Sequence, residues 1–135
     1  VANFTLGTDG TYFIRIENND GNAVRSGSAL LTVSDVPAWT TSAGSLGTIN
    51  AGGTISFTVA ATNATSYAVT SGSLPGGASL NTSTGAITGT ENAATQTTTY
   101  NFTITATDAE AQTAARAFSI TVSSGIENSM RMDGS

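Results

Sequence analysis

The 135-residue chain contains no cysteine, no histidine and no lysine; its only cations are Arg15, Arg25, Arg116 and Arg131. These absences exclude a disulfide, a thiolate zinc site, a cysteine nucleophile, a histidine base and a Schiff-base lysine. Charge of either sign is scarce: 10% of residues are charged, against about 25% in ordinary globular domains. The nine acids outnumber the arginines and give a net charge of −5, which opposes binding to nucleic-acid phosphates. No apolar run approaches the roughly 20 residues of a membrane-spanning helix. The chain starts at Val1 with no leader-like segment and ends in a polar tail, as expected of an excerpt from a longer protein or of a processed product. Composition points away from catalysis.

What is present is a period of two. In Thr11–Glu17 the residues Tyr12, Ile14 and Ile16 alternate with Phe13, Arg15 and Glu17. Ile55, Phe57 and Val59 form the apolar set of Thr54–Ala61, Tyr100, Phe102 and Ile104 that of Thr99–Thr107, and Phe118, Ile120 and Val122 that of Ala117–Ser123. Each run reads as a half-buried strand whose other face is threonine and serine, β-branched or small residues that suit a solvated pleat. Ala109–Ala117 has a helix-like composition, but its flanks read as a turn and a strand, and no helix is predicted. Gly, Asn, Asp and Ser clusters punctuate the strands at the spacing of a β-sandwich.

An internal repeat sets the organisation. Thr11, Tyr12, Ile16 and Asp20 recur as Thr99, Tyr100, Ile104 and Asp108, and Leu31-Thr32-Val33-Ser34 recurs as Ile120-Thr121-Val122-Ser123. The offset is 88 residues before the intervening turn and 89 after it, a module length close to that of an immunoglobulin-like domain. Residues 1–35 are then the closing strand pair of one module, 36–124 a complete second module, and 125–135 a linker or the first strand of something further. Pro37 marks the joint, because it can give no ladder hydrogen bond. Asn18-Asn19-Asp20-Gly21-Asn22 reads as the turn of the first strand pair. Tyr12, after Asp9-Gly10-Thr11, and its counterpart Tyr100 occupy the place of the tyrosine corner.

Leu74-Pro75-Gly76-Gly77-Ala78-Ser79-Leu80, followed by Thr84-Gly85-Ala86-Ile87-Thr88-Gly89-Thr90, carries a specific resemblance. It is similar to the signature of the immunoglobulin-like, dystroglycan-type cadherin-like modules of bacterial and phage surface proteins. Pro75 and the paired glycines read as a turn, Leu80 and Ile87 as core residues, and Thr84-Gly85 as a second turn. The resemblance covers about residues 37–124 and implies an all-β, immunoglobulin-like (cadherin-like) β-sandwich. Ala38-Trp39-Thr40-Thr41-Ser42-Ala43-Gly44-Ser45-Leu46-Gly47, joined to this module type, further resembles large structural proteins of marine tailed phages. Glu127–Ser135 resembles the first strand of a laminin-G or concanavalin-like lectin module.

Candidate sites are few. Family members that bind calcium use several carboxylates near module joints, which singles out Asp35, Asp108 and Glu110 as metal candidates; the plainer reading is solvated loop acids. No other cofactor is implied. Trp39, the only tryptophan, is a candidate sugar-stacking platform or else a packing residue at the joint. Asn3, Asn63, Asn81 and Asn101 head Asn-x-Ser/Thr triplets, which chance explains in so Thr-rich a chain. The expectation is a non-enzymatic structural module of a phage virion protein, in a tail fibre or a capsid decoration. Its partners would be other virion or surface proteins, copies of itself and host-surface glycans, with no nucleic acid and no membrane insertion. The alternatives are a bacterial adhesin or carbohydrate-binding module using Trp39, Tyr12 or Tyr67, and a subunit of a strand-exchanged filament.

Overall fold

The computed structural model describes residues 10–17 and 26–124, in two compact units divided after Asp35. The turn at Asn18–Asn22, the triplet at Asn3 and the tail after Ser124 lie outside the described residues, as do the side chains of Ile14 and Ile16.

In the first unit β1 (Gly10–Glu17) and β2 (Ser26–Val33) pair antiparallel, with Tyr12 opposite Leu31. Among the described residues the second unit carries nine strands and no helix. They are β3 (Ala38–Trp39), β4 (Gly44–Asn50), β5 (Thr54–Thr58), β6 (Ala61–Thr62), β7 (Ser66–Gly72), β8 (Ala78–Leu80), β9 (Ala86–Thr90), β10 (Thr98–Thr107) and β11 (Thr113–Ser123). One sheet has the order β4-β11-β10-β7. The other side is built from β5-β9-β8 and the short β3-β6 pair. The stretch that suggested a helix is the β10–β11 turn and the start of β11.

This is an immunoglobulin-like β-sandwich. The predicted alternation fills its core: Ile55, Val59, Ile87, Phe102, Ile104, Phe118, Ile120 and Val122 are each at most 3% exposed. Phe57 and Leu80 pack against the core from partly buried positions. Their strand neighbours Ser56, Thr58, Thr88 and Thr90 face solvent, the arrangement that a period of two requires when one face is buried.

Two features of the Leu74–Thr90 signature have a steric cause. Gly85 has φ +76°, and a Cβ there would overlap the Val59 carbonyl oxygen; Val59 in turn donates its N–H to the Gly85 carbonyl at 3.0 Å. Gly89 has φ +145°, and a Cβ would overlap the Gly77 carbonyl oxygen. Only glycine meets both demands. Two strands each carry an extra residue. Leu46 of β4 is inserted opposite the Ser119/Ile120 step, and Thr70 of β7 opposite the Thr103/Ile104 step.

Strand β4 runs parallel to β11, from Gly44 opposite Phe118 to Asn50 opposite Ser123. The module therefore begins beside the first residues of β11 and ends with its last, so entry and exit lie at opposite ends of the sandwich. An 11-residue strand such as β11 spans about 35 Å at the usual rise per residue.

Candidate functional site

The entry end holds most of the chemistry-bearing side chains. Pro37 is buried, and β3 pairs with β6 through Ala38–Thr62 and Trp39–Ala61. The indole of Trp39 turns inward. Its Nε1 donates to the Ala114 carbonyl at 3.1 Å, and its ring meets Phe118 edge-on at 5.3 Å between centroids. Tyr67 stands 5.9 Å away at a tilt of 51°. Two residues on, the Thr41 carbonyl accepts Arg116 Nη1 at 2.9 Å. The segment 38–41 thus touches both sheets before β4 joins β11. The half-buried Trp39 packs at the entry of the module, and its ring is engaged by protein rather than presented as a platform.

Asp108 closes the β10–β11 turn. Its Oδ1 accepts the N–H groups of Glu110 at 2.9 Å and Gln112 at 2.7 Å. Its backbone N–H donates to the Gln112 carbonyl at 3.0 Å, and its carbonyl accepts from Ala111 at 3.3 Å. The clamp holds Ala111 at φ +66°, a left-handed conformation that alanine adopts at a cost. Asp108 is buried, and its Oδ2 has no hydrogen-bond partner. Glu110 enters this arrangement through its backbone and is exposed. Asp35, also exposed, closes the first unit.

Within the sandwich, Asp108 and Glu110 by themselves fall short of a calcium cage. Calcium takes six to eight oxygens. Within the sandwich one carboxylate oxygen, Oδ2 of Asp108, is buried and unspent. Among the described residues no three acidic or other metal-ligating side chains gather.

The sequence reading passed over two anchors. Tyr67, considered only as a glycan platform, is 7% exposed; its hydroxyl accepts the Ala61 N–H at 3.1 Å and lies 3.4 Å from the Ala61 carbonyl. It pins β7 to β6. Tyr100 is only half-buried, so the deepest tyrosine anchor falls on Tyr67 rather than at the predicted corner. Glu91 anchors the exit end. It is 4% exposed, and its Oε2 accepts the N–H of Gly52 at 2.8 Å and of Ala94 at 3.0 Å. Those two N–H groups, Gly52 first, hold the Glu91 carboxyl below its ordinary value of 4.5; burial opposes them, and Ala93 and Asn92 add weaker bonds. Ser124 completes this end, its N–H on Thr97 Oγ1 and its hydroxyl on the Thr95 carbonyl, both at 3.1 Å.

The four charged residues of 36–124 are Glu91, Asp108, Glu110 and Arg116. All stand at the two ends or beneath the entry segment, and the outer faces of both sheets carry none.

The model of one family, described as "Putative Ig domain", matches residues 37–123. The chain belongs to that family. No curated protein sequence matches the chain. Among solved structures, Drosophila N-cadherin extracellular domains 1–4 align with a TM-score of 0.52 and 15% identity, over 87% of this chain and 34% of that one. An endo-fucoidan hydrolase of glycoside hydrolase family 107 aligns with a TM-score of 0.51 and 17% identity, over 87% of this chain and 19% of that one. The chain thus spans about a fifth to a third of the length of these structures. At such identities the likeness shows a shared fold, which the Putative Ig domain family and the cadherin-like sandwich have in common. Among the described residues no helix is long and apolar enough to cross a membrane.

Proposed function

We propose that the chain is a non-enzymatic spacer module of a virion protein, in a tail fibre or a capsid decoration, that holds neighbouring domains apart and in line. The observation that carries this reading is the parallel pairing of β4 with β11, from Gly44–Phe118 to Asn50–Ser123. Tension applied through the two ends of the module pulls these strands along their length, so the hydrogen bonds between them are loaded together rather than one at a time. A module so built resists extension. The uncharged threonine and serine flanks keep it hydrated without side-to-side charge repulsion, and the charges of Glu91, Asp108 and Arg116 are held by backbone groups. The missing catalytic residue types support a non-enzymatic role. The resemblance to phage structural proteins supports the virion, and a family of extracellular type suits either a virion or a cell surface. Trp39 and Tyr67, both engaged in packing, do not favour a glycan platform.

Single-molecule extension tests the reading. One force peak is expected for residues 36–124, with a contour gain of about 270 Å: about 89 residues at 3.3–3.6 Å each, less the roughly 35 Å that the folded module already spans. Unravelling with no resolvable peak, or micrographs of the native parent showing a globular enzyme in place of an elongated or virion-attached protein, would sink it.

A further inference from the structure

Strands β1 and β2 pair in the register of β10 and β11. Gly10 faces Val33 as Thr98 faces Val122, Tyr12 faces Leu31 as Tyr100 faces Ile120, and Ile14 faces Ala29 as Phe102 faces Phe118. The correspondence holds at all eight pairs of the first hairpin, at the offsets of 88 and 89 residues found in the sequence. Neither strand of the second hairpin is an edge: β7 adds antiparallel to β10, and β4 adds parallel to β11. Among the described residues β1 and β2 make a two-stranded sheet, with an open edge on each. An isolated hairpin is marginally stable in water, and an open edge is a template for another strand.

We infer that β1–β2 is the closing hairpin of a second immunoglobulin-like sandwich, whose remaining strands precede Val1 on the same polypeptide. An antiparallel strand equivalent to β7 adds to the edge of β1, and a parallel strand equivalent to β4 adds to the edge of β2. The repeat supplies the position: counterparts of Ala38–Thr90 fall 88 residues earlier, almost wholly ahead of Val1. The inference deepens the spacer reading by making the chain part of a row of modules, each closed by its own hairpin.

The two hairpins are not interchangeable. Where the second sandwich has Phe102 and Phe118, the first hairpin has Ile14 and Ala29, and Gly27 stands at the position of Arg116. Seating β1–β2 between β7 and β4 of this sandwich would replace two phenylalanines with smaller side chains and leave a cavity. The volume mismatch opposes hairpin exchange between adjoining modules.

Hydrogen exchange read by mass spectrometry tests this, with β10–β11 as the internal reference. The 135-residue chain is compared with a chain in which a copy of residues 36–97 is joined directly ahead of Gly10, with and without Ile14→Phe and Ala29→Phe. In the 135-residue chain, β1 and β2 are expected to exchange at least about 100-fold faster than β10 and β11, since a two-stranded hairpin opens readily. In the extended chain with both phenylalanines, protection of β1–β2 is expected within about tenfold of β10–β11, and with Ile14 and Ala29 retained, in between. The inference is overturned if β1–β2 of the extended, doubly substituted chain exchanges as fast as in the 135-residue chain. It is equally overturned if the 135-residue chain alone protects β1–β2 as strongly as β10–β11. Sedimentation then assigns the occupant to a second copy, for a dimer, or to the chain's own residues, for a monomer. The force peak of residues 36–124 reads the spacer property separately, so either idea can fail without the other.

Discussion

Trp39 and Ala114 lie 75 residues apart in sequence and are joined by a hydrogen bond of 3.1 Å from the indole nitrogen to the carbonyl. The bond fastens the entry strand to the start of the last strand, and the same ring packs edge-on against Phe118. Replacement of Trp39 by Phe should keep much of the packing and lose the hydrogen bond, lowering stability by about 1 kcal/mol. Replacement by Ala removes both and should cost about 3 kcal/mol, the low end for a large aromatic because the ring is only half-buried. Urea denaturation of the three proteins measures both steps. Equal losses for Phe and Ala would show that the ring contributes nothing beyond its nitrogen.

Asp108 should behave as a turn clamp. Asp108→Asn keeps an oxygen at the Oδ1 position and so retains acceptors for the Glu110 and Gln112 N–H groups. Asp108→Ala removes both bonds and frees Ala111 from its left-handed conformation. Its cost should be about 2 kcal/mol, typical of stranding donors that a charged group had satisfied, and the Asn variant should lose less than half of that. Denaturant midpoints give the comparison. Calcium added to the wild-type chain should leave its midpoint unchanged, since no three metal-ligating side chains gather among the described residues and the ion takes six to eight oxygens.

The difference between what was legible and what was not has a physical cause. Alternation is a local signal, so Ile55, Phe57, Val59, Phe102, Ile104, Phe118 and Ile120 announced the core, and the glycines of the Leu74–Thr90 signature announced turns, though not the carbonyl approaches at Gly85 and Gly89. The repeat announced a common hairpin register. The anchors were not legible. Glu91 sits among Thr, Asn and Ala with nothing nearby to show that Gly52, 39 residues earlier, would supply its main partner. The inward turn of Trp39 likewise depends on Ala114 and Phe118, which only the closed sandwich brings to it. Long-range pairings of a side chain with a backbone group leave no periodic trace.

Glu91 makes stability depend on pH in a defined direction. Its carboxyl is held below the ordinary 4.5 in the folded protein, so the folded state favours the charged form. The stabilisation is fully present above the unfolded-state value and is lost as pH falls through the lower folded-state value. Glu91→Gln should therefore be less stable than wild type at pH 7, and the gap should narrow progressively below about pH 4.5. Denaturation of both proteins at pH 7, 4 and 3 checks this. A gap that stayed constant across the range would mean that the N–H groups of Gly52 and Ala94 do not distinguish carboxylate from amide.

Gly85 and Gly44 separate two costs that a glycine replacement usually mixes. Both have positive φ, +76° and +104°. A Cβ on Gly44 meets nothing within 4 Å, whereas one on Gly85 would overlap the Val59 carbonyl oxygen. Gly44→Ala should cost about 1–2 kcal/mol from backbone strain alone. Gly85→Ala carries the same strain and must also push β5 away from the turn before β9, breaking the Val59–Gly85 hydrogen bond, so its cost should exceed that of Gly44→Ala by at least about 1 kcal/mol. Thermal and urea melts of the two variants read the difference directly. If the two alanines cost the same, the turn relaxes without disturbing Val59, and the glycine at 85 is needed only for its backbone angle.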